Sequence, residues 1–280
     1  MSTFASTLEE FRSAVAGPAA AVPLARAALL VARSEYADLD VQAYERQLRE
    51  LTDRLEARIH PSADIASQLR EVQRLLFTEH DFHGNVGDYS DPRNLYLNDV
   101  IDRRVGIPVT LAIVYVTVCR GAGIDARIVG LTGHVIARVE GPLGPVLVDP
   151  FHRGRELSEE DCRRLVRNVY GRRTPFREHF LDPITPRQVI QRLIHNLKAG
   201  FLQRGDELRA GRTIELLLAM YPWDLDELRD RGMLRERVGD YAAALADLEQ
   251  YLRFRASARD VQTVSEAVRS LRRQIGSPER

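Results

Sequence analysis

Cysteine is nearly absent from this sequence of 280 residues, and its scarcity limits the class of protein. Only Cys119 and Cys162 occur, too few for the disulfide framework of a small secreted domain and too far apart for a zinc knuckle. The segment Met1 to Glu10 is acidic rather than basic and leads into no long apolar stretch, so we expect no signal peptide. Together these features predict a cytoplasmic protein.

Net charge is absent as well. Forty lysine and arginine residues balance forty aspartate and glutamate residues, so no net field attracts polyanions. No apolar run approaches the length of a membrane span. We therefore expect neither nucleic acid nor a membrane as a partner. Lysine itself is almost missing, because Lys198 is the only one and arginine supplies the remaining basic charge.

The first part of the chain has a helical pattern. Between Leu8 and Phe77, apolar residues recur every three or four positions among charged ones. Pro61, followed by serine, is expected to begin a further helix. A polar stretch from Asp81 to Pro92 contains two glycines and predicts a loop. The region up to residue 60 is therefore predicted to form a helical cap or arm.

A buried helix and three strands are predicted in the middle of the chain. Pro108 takes the first position of this helix, where its missing N–H costs little. The helix, from Val109 to about Arg120, is apolar almost all round, as in a buried central helix. Short β-branched runs then predict an antiparallel sheet, and a closing helix follows it. The strands are Ile124–Leu131, His134–Glu140 and Val146–Asp149, and the helix is Ser158–Asn168. The fold class predicted is α+β.

One internal repeat follows the sheet. Gly205-Asp206 recurs as Gly239-Asp240 after 34 residues, the period of a tetratricopeptide repeat. Residues 185–275 are therefore predicted to form an all-α, tetratricopeptide-like segment. Trp223, beside Pro222, is expected to fill the turn between the two repeats.

Two side chains indicate a site for acyl chemistry. His134 opens the predicted second strand and Asp149 closes the third, so a hairpin between these strands would bring them side by side. Thiol acyl-transfer enzymes combine such a pair with a cysteine at a helix N-terminus, where the helix dipole lowers the thiol pKa.

These residues resemble the pattern of the transglutaminase-like superfamily. The matching residues are Gly106, Ala112, Gly123-Ile124-Asp125-Ala126-Arg127, His134 and Asp149. More narrowly, the chain resembles the bacterial SirB-type branch in Tyr96-Leu97-Asn98-Asp99-Val100, the run Arg103 to Pro108, Gly133-His134 and Asp149-Pro150-Phe151. The resemblance implies a papain-like core of one helix on an antiparallel sheet, with a helical N-terminal extension and tetratricopeptide-like helices at the C-terminus.

The chain departs from the superfamily at the nucleophile. Alignment on Gly106 and Ala112 puts Pro108 where the cysteine belongs, and proline has no group that attacks a carbonyl. His134 and Asp149 are then expected to be a remnant pair that fixes geometry without turnover. The alternative is that the pair activates water.

Two other side chains near this position could replace the nucleophile. Cys119 lies near the far end of the apolar helix, where a thiol is expected to be buried with a raised pKa. Thr110 lies closer to the helix start, where a β-branched hydroxyl is expected to cap or pack. Neither is expected to act on a substrate.

Possible metal ligands occur in two places. Glu79, His80, Asp81 and His83 cluster before a glycine, and His152 lies three residues beyond Asp149. Such spacing is common by chance, and solvated loop residues are the simpler interpretation. The sequence therefore predicts no metal and no other cofactor.

The function predicted is that of a non-catalytic adaptor or regulatory protein, a pseudoenzyme that binds a peptide or protein partner. Tetratricopeptide arrays accept peptides in the groove between their first helices, and by analogy Asp224, Arg231 and Arg235 are the candidate contacts. The alternatives are a hydrolase or acyltransferase that uses His134 and Asp149, and a purely structural subunit. The domains expected are a helical arm (1–60), a transglutaminase-like domain (61–180) and a tetratricopeptide-like segment (185–275). No oligomeric state is predicted.

Overall fold

The computed structural model describes residues 3–60, 62–171, 176–255 and 259–276. Pro61, with which the predicted transglutaminase-like domain and its first helix begin, lies outside these ranges. The chain forms two compact units, with the boundary between Asn196 and Leu197.

Within the described ranges the structure has twelve α-helices. They are α1 (Thr3–Val15), α2 (Leu24–Arg33), α3 (Val41–Glu56), α4 (Ile65–Gln73), α5 (Leu97–Arg103), α6 (Pro108–Gly121), α7 (Glu159–Tyr170), α8 (Pro186–Gln203), α9 (Glu207–Met220), α10 (Leu225–Arg237), α11 (Tyr241–Phe254) and α12 (Val261–Gly276). A short π-helical segment, Arg74–Glu79, continues α4.

The described residues also form six short strands in two sheets. They are β1 (His83–Gly84), β2 (Val105–Gly106), β3 (Ala126–Val129), β4 (Ile136–Val139), β5 (Val146–Asp149) and β6 (Arg155–Leu157). The larger sheet has the order β3-β4-β5-β6 and is antiparallel throughout. The smaller sheet pairs β1 with β2 in parallel.

The predicted α+β core of a central helix and an antiparallel sheet is confirmed. α6 buries most of its side chains and contacts α2 and α3 as well as β3 and β4. Its apolar character all round follows from this position, because neighbours surround it. The N-terminal helices thus contribute directly to the core that carries the sheet.

The prediction missed three strands. β6 is only three residues long and carries two charged side chains, so it has no β-branched run to reveal it. β1 and β2 have two residues each, and β1 lies inside the stretch predicted as a loop. His134 also does not open β4, which begins at Ile136, because the chain turns through Gly133 at a φ of +74°.

The C-terminal unit explains why the Gly-Asp pair repeats. Gly205 and Gly239 have positive φ, where glycine avoids the strain of a Cβ atom. The side chains of Asp206 and Asp240 then cap α9 and α11 by accepting backbone N–H groups. Each pair therefore ends one helix connection and starts the next helix. Consecutive helices from α9 to α12 pack on one another.

The side chains of Lys198 and Trp223, both in this unit, differ in exposure. Lys198 is buried, and its Nζ donates to Glu227 and Asp230 at 2.6 Å each. Trp223 instead has 73% of its surface exposed. The expectation that Trp223 fills the turn is wrong, because the turn between α9 and α10 directs most of the indole to solvent.

Candidate functional site

The predicted histidine and aspartate meet at the end of the sheet. Asp149 is the last residue of β5 and only 2% exposed. Its Oδ1 accepts the backbone N–H groups of Phe151 and His152, at 3.0 and 3.4 Å. These bonds direct Oδ2 toward His134, whose Nε2 lies 2.8 Å away. Since an ionised carboxylate only accepts, the His134 Nε2 atom donates this bond.

The segment that carries His134 is held by an arginine from α8. Arg192 donates from Nη2 to the carbonyl oxygens of Leu131 and His134, at 2.7 and 3.1 Å. Burial lowers the pKa of the Arg192 guanidinium. The ring of Phe151 packs edge-on against the imidazole with centroids 6.0 Å apart. His134, only 8% exposed, is therefore held through both its backbone and its ring.

His152 is the third member of the cluster. It lies in a short 3₁₀ turn, Pro150–His152, and its Nδ1 is 2.7 Å from Asp149 Oδ2. Its side chain is 54% exposed, in contrast to the two buried members. In the sequence, the only signal for including His152 in the cluster is its position three residues after Asp149. The turn that begins at Pro150 brings it onto the same carboxylate oxygen as His134.

The electrostatics of the cluster favour an ionised carboxylate. Burial raises the pKa of Asp149, but the hydrogen bonds and charges of His134 and His152 outweigh burial and hold that pKa below its usual range. One oxygen atom thus faces two imidazole nitrogens. The arrangement can orient a base, bind a proton donor or accept a cation.

Pro108, Thr110 and Cys119 are the residues of α6 that bear on the predicted loss of the nucleophile. Pro108 is the buried first residue of α6. Thr110 Oγ1 accepts the backbone N–H of Ile107 and lies 2.8 Å from the carbonyl of Asn94, so the expected capping role is confirmed. Cys119 is fully buried, and burial raises the pKa of its thiol far above the usual range, as expected.

The second group of possible metal ligands does not converge. Glu79 forms a two-pronged ion pair with Arg58, and Asp81 pairs with Arg153. His83 Nδ1 bonds to the carbonyl of Asp81. Within the described ranges, His134, Asp149 and His152 are the residues whose ligand atoms come together.

The three candidate partner contacts are engaged within the C-terminal unit. Asp224 caps α10 by accepting the N–H groups of Asp226 and Glu227. Arg231 and Arg235 both bind Asp247, and both also pair with Glu215. Their role in partner binding stays a prediction.

The fold and the histidine–aspartate pair define a transglutaminase-like domain followed by helical repeats. The model of the transglutaminase-like superfamily matches residues 42–195, and that of the tetratricopeptide repeat matches residues 197–269. The chain belongs to the transglutaminase-like superfamily and, within it, to the UPF0162 proteins. It is 33% identical over 246 residues to a UPF0162 protein of Xylella fastidiosa strain Temecula1, covering 87% of this chain and 88% of that protein.

Two further relatives extend the comparison. The UPF0162 protein YchA of Escherichia coli K12 is 28% identical over 234 residues, covering 82% of this chain and 86% of that protein. Human F-box only protein 21 is 28% identical over 178 residues, covering 57% of this chain but only 26% of that protein. Within the part of the chain that the structure describes, every helix is too short or too polar to span a membrane.

Proposed function

We propose that the chain is a non-catalytic member of the SirB-type branch that acts as a cytoplasmic adaptor or regulatory protein. The observation that carries this proposal is Pro108 at the first turn of α6, the place of the thiol in active members. With Thr110 and Cys119 both committed elsewhere, His134 has no nucleophile to activate except water. The proposal keeps the predicted domains, 1–60, 61–180 and 185–275.

The C-terminal helices supply the binding surface in this proposal. Helical repeats of this kind accept extended or helical peptides on their exposed faces. Trp223, Leu208, Val238 and Phe254 all belong to this unit and expose more than half of their surface. In this proposal they are the candidate contacts for a partner, because aromatic residues are enriched at protein interfaces. The proposed partner is accordingly a peptide or protein with apolar anchor residues.

The absence of turnover can be tested directly. We expect the wild-type protein to hydrolyse activated esters and amides, and to transfer acyl groups, at the buffer background, because it has no thiol at the helix start. The measurement is steady-state turnover of wild type, Asp149→Asn and Pro108→Cys proteins. Wild-type turnover that Asp149→Asn abolishes would show that the His134–Asp149 pair works on water, and would replace the adaptor by a hydrolase or acyltransferase.

Partner binding can be followed through the single tryptophan. We expect peptides selected on the full chain from a displayed library to shift Trp223 emission to shorter wavelength, because binding would bury the indole. The variant Trp223→Tyr, whose affinity is measured by calorimetry, should bind about tenfold or more weakly, as an aromatic hot spot does. Leu143→Ala, at a fully exposed apolar position on the β4–β5 hairpin, is the control and should leave affinity unchanged. Equal affinity of wild type and Trp223→Tyr would remove this surface from the proposal.

A further inference from the structure

We propose that His134, Asp149 and His152 form a binding site for a divalent transition-metal cation of the zinc or cobalt type. Two imidazole nitrogens and one carboxylate oxygen are a donor set that such cations prefer. This inference does not rest on the proposed function, because a non-catalytic protein and a hydrolase can both hold a metal. It stands on the geometry of three side chains.

The spacing of the donor atoms fits a cation after a small movement. Asp149 Oδ2 lies 2.8 Å from His134 Nε2 and 2.7 Å from His152 Nδ1, and all three atoms lie within 4.8 Å of one another. Ligand atoms about 2.0–2.2 Å from a tetrahedral zinc lie roughly 3.3 Å apart. Since the carboxylate only accepts, each facing imidazole nitrogen carries a proton. When a cation binds, each of these protons would leave to solvent or be carried by the other nitrogen of its ring.

The surroundings orient two ligands and leave the third adjustable. The backbone N–H groups of Phe151 and His152 hold Asp149 Oδ1, so Oδ2 is the oxygen available to a cation. Arg192 fixes the backbone of His134, and Phe151 packs against its ring. His152 is half exposed and can rotate to complete the site. Three protein ligands at a solvent-facing edge leave a coordination position for water.

The competing cluster is electrostatically unsuited to a cation. Glu79 and Asp81 are both occupied by arginines, and burial together with the nearby Arg104 lowers the pKa of His80. Positive charge therefore already fills the space around these ligands. His83 nevertheless offers a matched control, because it is also a partly exposed histidine beside an aspartate.

To test the proposal, the full chain is first treated with a chelator and then titrated with Co²⁺. Calorimetry and visible d–d absorption measure the binding. We expect one cobalt ion per chain, with an absorption typical of nitrogen and oxygen ligands. The variant His152→Asn should bind at least about tenfold more weakly, since even the loss of an outer-shell partner costs 10- to 100-fold in affinity. His83→Asn should bind as the wild type does.

Three outcomes would overturn the proposal. They are the absence of cobalt uptake by the wild type, equal affinity of wild type and His152→Asn, and a loss of affinity in His83→Asn instead. His152 is exposed enough that its replacement should not unfold the protein, and thermal melting of each variant verifies this.

Paramagnetic broadening of the His134 imidazole signals in wild type, but not in His152→Asn, is the second expected result.

Discussion

The variant Asp247→Ala is expected to lower the free energy of unfolding of the C-terminal helices by about 3–5 kcal/mol, the cost of removing one partner from a buried ion pair. Asp247 is only 5% exposed and lies between two arginines. It accepts two bonds from Arg231 and one from Arg235, each 2.8 Å long. Without it, Glu215 alone would face two partly buried guanidinium groups.

The matched control for this prediction is Asp226→Ala in the same unit. Asp226 is largely exposed, and its ion pairs with Arg229 and Arg255 are 3.8 Å long. Its removal should cost no more than about 1 kcal/mol, through solvent-screened pairs and the helix dipole. Urea unfolding followed by far-ultraviolet circular dichroism compares the two variants. Equal destabilisation by both would mean that the buried network contributes no more than surface charge.

The variant Gly154→Ala is expected to destabilise the N-terminal unit by about 2–5 kcal/mol. Gly154 has a φ of +72°, where a Cβ atom is strained. That Cβ would also lie 2.3 Å from an edge carbon of the Phe77 ring, which is itself buried and stacks on the buried Tyr115. Strain and steric overlap therefore add. Since Gly154 N–H donates to the carbonyl of Asp149, the turn that carries His152 should shift as well.

Gly123→Ala separates the two contributions. Gly123 has a similar φ of +81° in the same unit, but a Cβ atom there would meet nothing within 4 Å. It should cost only the backbone strain, about 1–2 kcal/mol. Thermal unfolding of both variants by circular dichroism gives the difference. A Gly154→Ala protein as stable as Gly123→Ala would show that the Phe77 ring yields, contrary to the packing described here.

The fold was predictable where the pattern depends on burial alone. α6 is apolar on every side because neighbours surround it, and the 34-residue spacing of the Gly-Asp pairs follows from one glycine turn and one capping aspartate in each repeat. The two-residue strands β1 and β2 escaped prediction because their pairing depends on contacts between distant parts of the chain. Periodicity carries no information about such contacts.

The site was predictable in part for a similar reason. His134 and Asp149 were identified from the superfamily pattern and from the order of the strands. The positions of His152 and Arg192 depend on a turn and on a helix far along the chain, and no local signal places them beside His134. A spacing of three residues after a strand is too common to single out His152.

The candidate partner contacts show a further limit of sequence-based prediction, because they were inferred by analogy with other tetratricopeptide repeats. Arg231 and Arg235 are predicted peptide contacts by analogy alone, and sequence could not reveal that Asp247 and Glu215 face them. A partner that used these arginines would compete with two internal carboxylates. The exposed apolar side chains of the same unit carry no such competition.

The buried Lys198 has a practical consequence for mapping any partner. Its ammonium group is shielded by Glu227 and Asp230, and no other residue of this chain has a side-chain amine. Amine-directed cross-linkers would therefore have no accessible lysine to modify on the folded protein, and lysine acylation or lysine-linked ubiquitin attachment would find no exposed acceptor. Carboxylate-directed cross-linkers or arginine-selective dicarbonyl reagents, which have many accessible targets here, are the suitable probes of its contacts.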